Sequence, residues 1–200
     1  MKKAIFISGI IGSGKSTLAK SLATKFNLEF KNENIKDESI IPKIYEFYDS
    51  FDSDTIVEVQ QHFIKDSNNM ISSLNDNVTY VFDTFPFESQ RGFIESLYNS
   101  EFINENQYSL LNTSLGKVSD LNCVEFLHIH CLTTIDIYSR ILNRGTFEIK
   151  SFVKGEPSAK FVKLMDNLDR FLLFDLVTES TVFSADPNLD SKILDFLNKN

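Results

Sequence analysis

Residues 9–16 read Gly-Ile-Ile-Gly-Ser-Gly-Lys-Ser, directly behind the apolar run Ala4-Ile5-Phe6-Ile7 and directly before a helical pattern that starts at Ser16. A buried strand, a glycine-rich turn and a helix in that order point to an α/β chain, because such a strand needs a sheet and the helix packs across it. The spacing G-x-x-x-x-G-K-[ST] adds chemistry to the architecture. Gly9, Gly12 and Gly14 allow backbone N–H groups to curl around an anion, and the whole loop from Gly9 through Ser13 to Thr17 is expected to hold phosphates. Lys15 brings positive charge to the outer phosphates, Ser16 can ligate Mg²⁺, and the helix that follows aims its N-terminal dipole at the same place. A chance glycine turn containing Lys-Ser has no reason to sit between a strand and a helix. The expectation is that the chain binds a nucleoside triphosphate.

Composition narrows the remaining classes. The 200 residues, 42% of them hydrophobic, fit one α/β domain spanning 1–200. A formal net charge of −8 disfavours nucleic acid as a partner, since phosphate backbones demand clustered Lys and Arg. Met1-Lys2-Lys3 leads straight into the first strand and no long apolar run occurs, so a soluble cytoplasmic protein without a membrane partner is expected. Cys123 and Cys131 lack C-x-x-C spacing and read as core residues. His128 and His130 fall on one face of a strand and Cys131 on the other, a poor arrangement for a metal.

Periodicity predicts a second strand over 28–31, two helices within 42–73 broken at 49–53, and a third strand over 78–82 that ends at Asp83. Residues 88–116 read as helix interrupted near 99–106, and Val124 to Ile129 as a fourth strand. A helical tract after Thr133 carries Arg140 and Arg144, a polar segment covers 146–158, and Lys160 to Leu176 is helical. A fifth strand over 181–184, the Asp186-Pro187 turn and a terminal helix close the pattern, which is that of a doubly wound parallel sheet.

The loop alone does not separate kinases from switches, transporters or motors. Phosphoryl transfer to a small molecule needs a base near the acceptor hydroxyl, a Mg²⁺ carboxylate and cations for the transferred group. Glu33, just past the second strand, is the candidate base, with a solvated loop glutamate as the competing reading. Asp83 ends a buried strand opposite Ser16, which suits Mg²⁺ better than packing. Arg140 and Arg144 share a helix face beside a polar, Gly-containing segment, as cations of a lid over about 140–158 would.

Four stretches together resemble the deoxynucleoside kinase family, which includes deoxyadenosine, deoxyguanosine, deoxycytidine and mitochondrial-type thymidine kinases. They are the loop Gly9 to Thr17; Ile41-Pro42-Lys43-Ile44-Tyr45-Glu46-Phe47-Tyr48 with Gln60-Gln61-His62-Phe63-Ile64; Asp83 to Phe93; and Arg140-Ile141-Leu142-Asn143-Arg144-Gly145. The resemblance implies a P-loop kinase fold, α/β, with a five-stranded parallel sheet flanked by helices and a helical lid. It implies transfer of the ATP γ-phosphate, with Mg²⁺, to the 5′-hydroxyl of a (deoxy)nucleoside in nucleotide salvage. Glu33 then takes the family's general-base position, Tyr48 holds the 3′-hydroxyl, Gln60 pairs with the base edge, Phe93 stacks on the base, and Glu148 reaches the 3′-hydroxyl from the lid. The loop around Asp186 lies on the side of the donor base. A homodimer, or a heterodimer with a related kinase, is expected through the apolar helix faces of 44–71 and 90–111.

The chain departs from the family's pattern in places. The Asp/Glu-Arg-Ser triplet appears as Asp83-Thr84-Phe85, Thr146 stands where a third lid arginine is usual, and Ser89 where Asp is frequent. Arg91 is a candidate replacement cation, with an exposed helix arginine as the competing reading. A nucleoside monophosphate kinase and a non-catalytic nucleotide-binding subunit of a kinase pair are the alternatives.

Overall fold

The computed structural model describes residues 2–32, 39–115, 124–132 and 136–199. Strand β1 (Lys2–Ser8) runs into the glycine loop, and α1 (Lys15–Phe26) leaves it. Then come β2 (Glu29–Lys31), α2 (Ile41–Ser50), α3 (Ser53–Ser72), β3 (Thr79–Phe82), α4 (Glu88–Asn99) and α5 (Glu105–Leu115). The C-terminal part holds β4 (Val124–His130), α6 (Ile137–Arg144), a 3-10 turn (Phe147–Ser151), β5 (Phe152–Val153), β6 (Glu156–Pro157) and α7 (Ala159–Phe171). A π turn (Leu172–Leu176), β7 (Val182–Phe183) and α8 (Leu189–Asn198) complete it.

Five of the strands form a parallel sheet in the order β2-β3-β1-β4-β7, and β5 and β6 form a separate antiparallel hairpin. The pleat of β1 explains why its apolar run is unbroken. Ala4 and Phe6 point into one core with α2, α3, α4 and α7, while Ile5 and Ile7 point into the other with α1 and α8. All four are fully buried. Such a sheet binds ligands at the carboxyl ends of its strands, where β1 delivers the glycine loop and β3 delivers Asp83.

Local sequence accounts for the helix boundaries. The break within 42–73 narrows to Phe51 and Asp52. Phe51 ends α2 in the left-handed region (φ 55°), and the Asp52 carboxylate caps α3 by accepting the Thr55 N–H at 2.9 Å. Asp136 caps α6 in the same way from Tyr138 and Ser139, and the Ser139 hydroxyl, donating at 2.6 Å, together with those bonds holds its carboxyl below the usual range. The polar stretch 146–158, to which the sequence assigns no element, holds the 3-10 turn and the hairpin, so the lid is only partly helical. The apolar helix faces expected to pair two chains are used within this one. Ile44, Phe47, Val59, Ile64, Ile71, Ile94, Leu97 and Leu111 all lie in its own core. Cys131 is buried as expected, and Cys123 lies outside the described residues.

Helices α4 and α7 pack closely because position 92 has no side chain. A Cβ there would stand 2.6 Å from Cδ1 and 2.9 Å from Cε1 of the buried Phe171 ring. Gly92→Ala gains about 1 kcal/mol of helix propensity but overpacks this contact by about 1–3 kcal/mol. The net expectation is a loss of about 1 kcal/mol, or a melting midpoint lower by roughly 3 °C. Urea titration of Gly92→Ala alone and combined with Phe171→Leu checks it: the second change must recover part of the loss.

Candidate active site

A cleft of about 370 Å³ opens at the carboxyl ends of β1, β2 and β3. One end is the glycine loop, with Gly9, Gly12, Lys15 and Ser16 in its wall. The other is an aromatic and amide pocket formed by Phe47, Tyr48, Gln60, Phe63 and Phe93. Asp83 and Thr84, which follow β3, line the same cleft, as do Arg144, Phe147 and Glu148 of the lid.

The loop needs its glycines for space as well as dihedrals. Gly9 has φ +145°, and a Cβ on it would meet Ser13 Oγ at 2.7 Å and the Cys131 carbonyl at 2.8 Å. Gly12 and Gly14 also have positive φ. Lys15 Nζ donates to the Ile10 carbonyl at 3.0 Å, which bends the ammonium back over the loop. Among the described residues, Ser13 Oγ is buried with no hydrogen-bond partner, as befits a loop shaped for an anion that supplies the acceptor oxygens. Gly14 and Thr17 belong to the same turn and helix start without lining the cleft. Ser16 and Asp83 both face the cleft, so a hydroxyl and a carboxylate, the hard oxygen donors that Mg²⁺ takes, are available together.

The two lid arginines have different tasks. Arg140 reaches down from α6 and donates to the carbonyls of Gly12 (3.1 Å) and Ser13 (3.3 Å), so it braces the loop from outside. Arg144 faces the cleft and donates to Thr146 Oγ1 at 2.8 Å and to Glu148 Oε1 at 2.9 Å, while Thr146 donates to Glu148 Oε2 at 2.5 Å. Glu148 is 7% exposed. The threonine that stands in place of a third arginine thus helps to orient a buried carboxylate. Ser151 Oγ donates to the Tyr48 carbonyl at 2.9 Å and Phe147 packs edge-on against Tyr45, which ties the lid to α2.

In the acceptor pocket, Gln60 is 3% exposed on α3 and Tyr48 is 7% exposed on α2. Gln90 lines the pocket too, its Oε1 accepting the Phe87 N–H at 2.7 Å. Ser89 Oγ accepts the Phe85 N–H at 3.2 Å and so fixes the turn into α4. Phe85, in the triplet after β3, stacks on Phe6 with ring centroids 4.9 Å apart and is core.

Glu33 lies outside the described residues. Two other sequence assignments fall elsewhere. Asp186 is not in the cleft wall; it accepts from Lys192 Nζ at 2.7 Å and from the Asn188 N–H at 2.8 Å, which lowers its carboxyl below the usual range. Arg91 is exposed and pairs with Glu88 at 3.7 Å, so it does not replace the cation absent from position 84, and Thr84 itself is buried. Sequence reasoning also missed Lys20, Phe30 and Asn32, which line the cleft. The available signal was spacing: Lys20 is one helical turn beyond Ser16.

A family model described as deoxynucleoside kinase matches residues 5–153, which take in the glycine loop, both ends of the cleft and the lid as far as β5. The chain belongs to the deoxynucleoside kinase family. No curated protein sequence matches this family member. Solved structures of deoxyadenosine kinase from M. mycoides are similar to it at 20% identity. The complex with dATP gives a TM-score of 0.70 over 100% of both chains, and that with dCTP gives 0.70 over 99% of both. The complex with the products dCMP and a flexible dCDP gives 0.69 over 99% of this chain and 97% of the other. At that identity the likeness bears on the fold, and a parallel five-stranded sheet between helices is the deoxynucleoside kinase architecture. Among the described residues, no helix is long and apolar enough to cross a membrane.

Proposed function

We propose that this deoxynucleoside kinase family member transfers the γ-phosphate of ATP to the 5′-hydroxyl of a (deoxy)nucleoside and serves nucleotide salvage. The observation that carries the reading is the single cleft joining Lys15 and Ser16 to Gln60 and Phe93, so that a phosphate loop and a base-sized pocket open into one cavity. Gln60 offers a donor and an acceptor to a base edge, Phe93 offers a ring face, and Tyr48 with Glu148 meets the sugar. Backbone N–H groups of the loop, with Ser13 and Lys15, hold the triphosphate, while Arg140 keeps the loop in shape. Ser16 and Asp83 would hold Mg²⁺, which when bound neutralises phosphate charge. Glu33, whose role rests on the family resemblance, takes the proton of the 5′-hydroxyl as its oxygen bonds to the γ-phosphorus. The bond to the β,γ-bridging oxygen breaks in the same in-line step and ADP leaves.

The M. mycoides enzyme is described with a purine and with a pyrimidine deoxynucleotide, so the test uses all four deoxynucleosides with ATP. At least one is expected to be converted to its 5′-monophosphate. ATP binding without turnover of any nucleoside would favour the non-catalytic subunit, and turnover of monophosphates alone the monophosphate kinase. The Glu33→Gln variant is expected to lose kcat at an unchanged melting midpoint. Full activity in that variant removes the general-base role.

A further inference from the structure

We propose that Lys20 supplies the cation that meets the phosphoryl group between donor and acceptor, a role that rests on the kinase reading above. Among the described residues, three cationic side chains line the cleft: Lys15, Lys20 and Arg144. Lys15 bends back onto the Ile10 carbonyl at the donor end, and Arg144, in the lid wall, is paired with the buried Glu148. The Asp83 carboxylate and the neutral Thr84, which follow β3, line the same cleft. Lys20 leaves α1 one turn beyond Ser16, on the same helix face, and shares the cleft wall with Ser16, Asn32 and Asp83.

Its surroundings differ from those of the surface lysines nearby. Lys25 and Lys43 form ion pairs with Asp190 and Glu58, whereas Lys20 has no ion pair among the described residues. Its Nζ instead sits 5.8 Å from the centroid of the Phe30 ring, itself part of the cleft wall. An aromatic face attracts the ammonium without neutralising it. A loose phosphoryl-transfer transition state spreads negative charge over its equatorial oxygens as they leave the loop, and a cation part-way along the path stabilises that state more than either bound substrate. Lys20 therefore acts on kcat, and binding of nucleoside and ATP depends on other residues.

The test compares Lys20→Met and Lys20→Arg with the wild-type protein in steady-state phosphorylation of its preferred nucleoside, alongside calorimetric binding of a non-hydrolysable ATP analogue. Lys20→Met is expected to lower kcat about 30-fold, with the nucleoside KM and the analogue affinity within about threefold of wild type. Lys20→Arg, which keeps the charge, is expected to recover most of the loss. An unchanged kcat in Lys20→Met overturns the proposal. So does a parallel loss of turnover and analogue binding that Arg does not restore, because that marks a structural role. A wild-type protein that turns over no nucleoside overturns the kinase reading and this inference together, whereas an active wild type with an equally active Lys20→Met overturns this inference alone.

Discussion

Lys15→Met is expected to lower kcat by about a thousandfold while the nucleoside KM changes by less than about threefold. The side chain is held at the donor end by its bond to the Ile10 carbonyl, over the loop whose buried Ser13 hydroxyl has no partner among the described residues. When γ-phosphate charge moves outward in the transition state, a fixed ammonium gains interaction energy that it does not have with the ground state. Methionine fills a similar volume and packs against the same loop but removes that charge, so the fold is retained and the loss falls on turnover. The nucleoside pocket around Gln60 and Phe93 is at the other end of the cleft and should bind normally. A Lys15→Met protein that retained a tenth of wild-type kcat would show that the loop holds its anion mainly through backbone N–H groups.

The second large effect concerns stability against pH. Ser8, the last residue of β1, bridges two buried imidazoles directly beneath the glycine loop: its Oγ lies 2.7 Å from His128 Nε2 and 2.9 Å from His130 Nδ1. His128 Nδ1 contacts Thr181 Oγ1 at 3.0 Å. Burial, with His130 adding to it, pushes His128 down to about 4, and burial with Lys15 nearby also lowers His130. In the unfolded chain each histidine titrates near 6.5, so below that pH the unfolded state binds protons that the native state refuses. Both groups are depressed, so their contribution is fully present above about pH 6.5 and fades as pH falls towards the native values. For His128 the loss between neutral pH and pH 5 is about 2 kcal/mol, and His130 adds in the same direction. Urea unfolding at pH 7.5 and pH 5 measures this, and an NMR titration of the two imidazoles is the direct readout. An His128 titration at its ordinary value in the folded protein would remove the prediction.

The same pair shows how far the sequence could be read. That His128 and His130 share a strand face follows from the two-residue period of a strand. That Ser8 bridges them does not, because it depends on β1 and β4 lying side by side in a register that sets Ser8 opposite His130. The lid gives a second case. Arg140 and Arg144, four residues apart, read as a pair above the phosphates, yet one braces loop carbonyls while the other serves Glu148. Helical spacing fixes a face, and the fold decides what that face meets. The departures after β3 could be read only in outline: nothing local to Asp83-Thr84-Phe85 reveals that Phe85 is drawn into the core against Phe6 and Phe126.

The sequence by itself determined the strand, loop and helix around Lys15, the alternation that produces a parallel sheet, and the residue types for a base, a metal ligand and a base-stacking ring. These are local patterns, governed by periodicity and by the few residues that tolerate a phosphate-binding turn. The tertiary structure alone decided which of those residues share one cleft, that Arg91 and Asp186 stand outside its wall, and that Lys20 stands within it. Neighbours across a sheet and between packed helices are distant in the chain, so their meeting follows from strand order and packing, which no local pattern encodes.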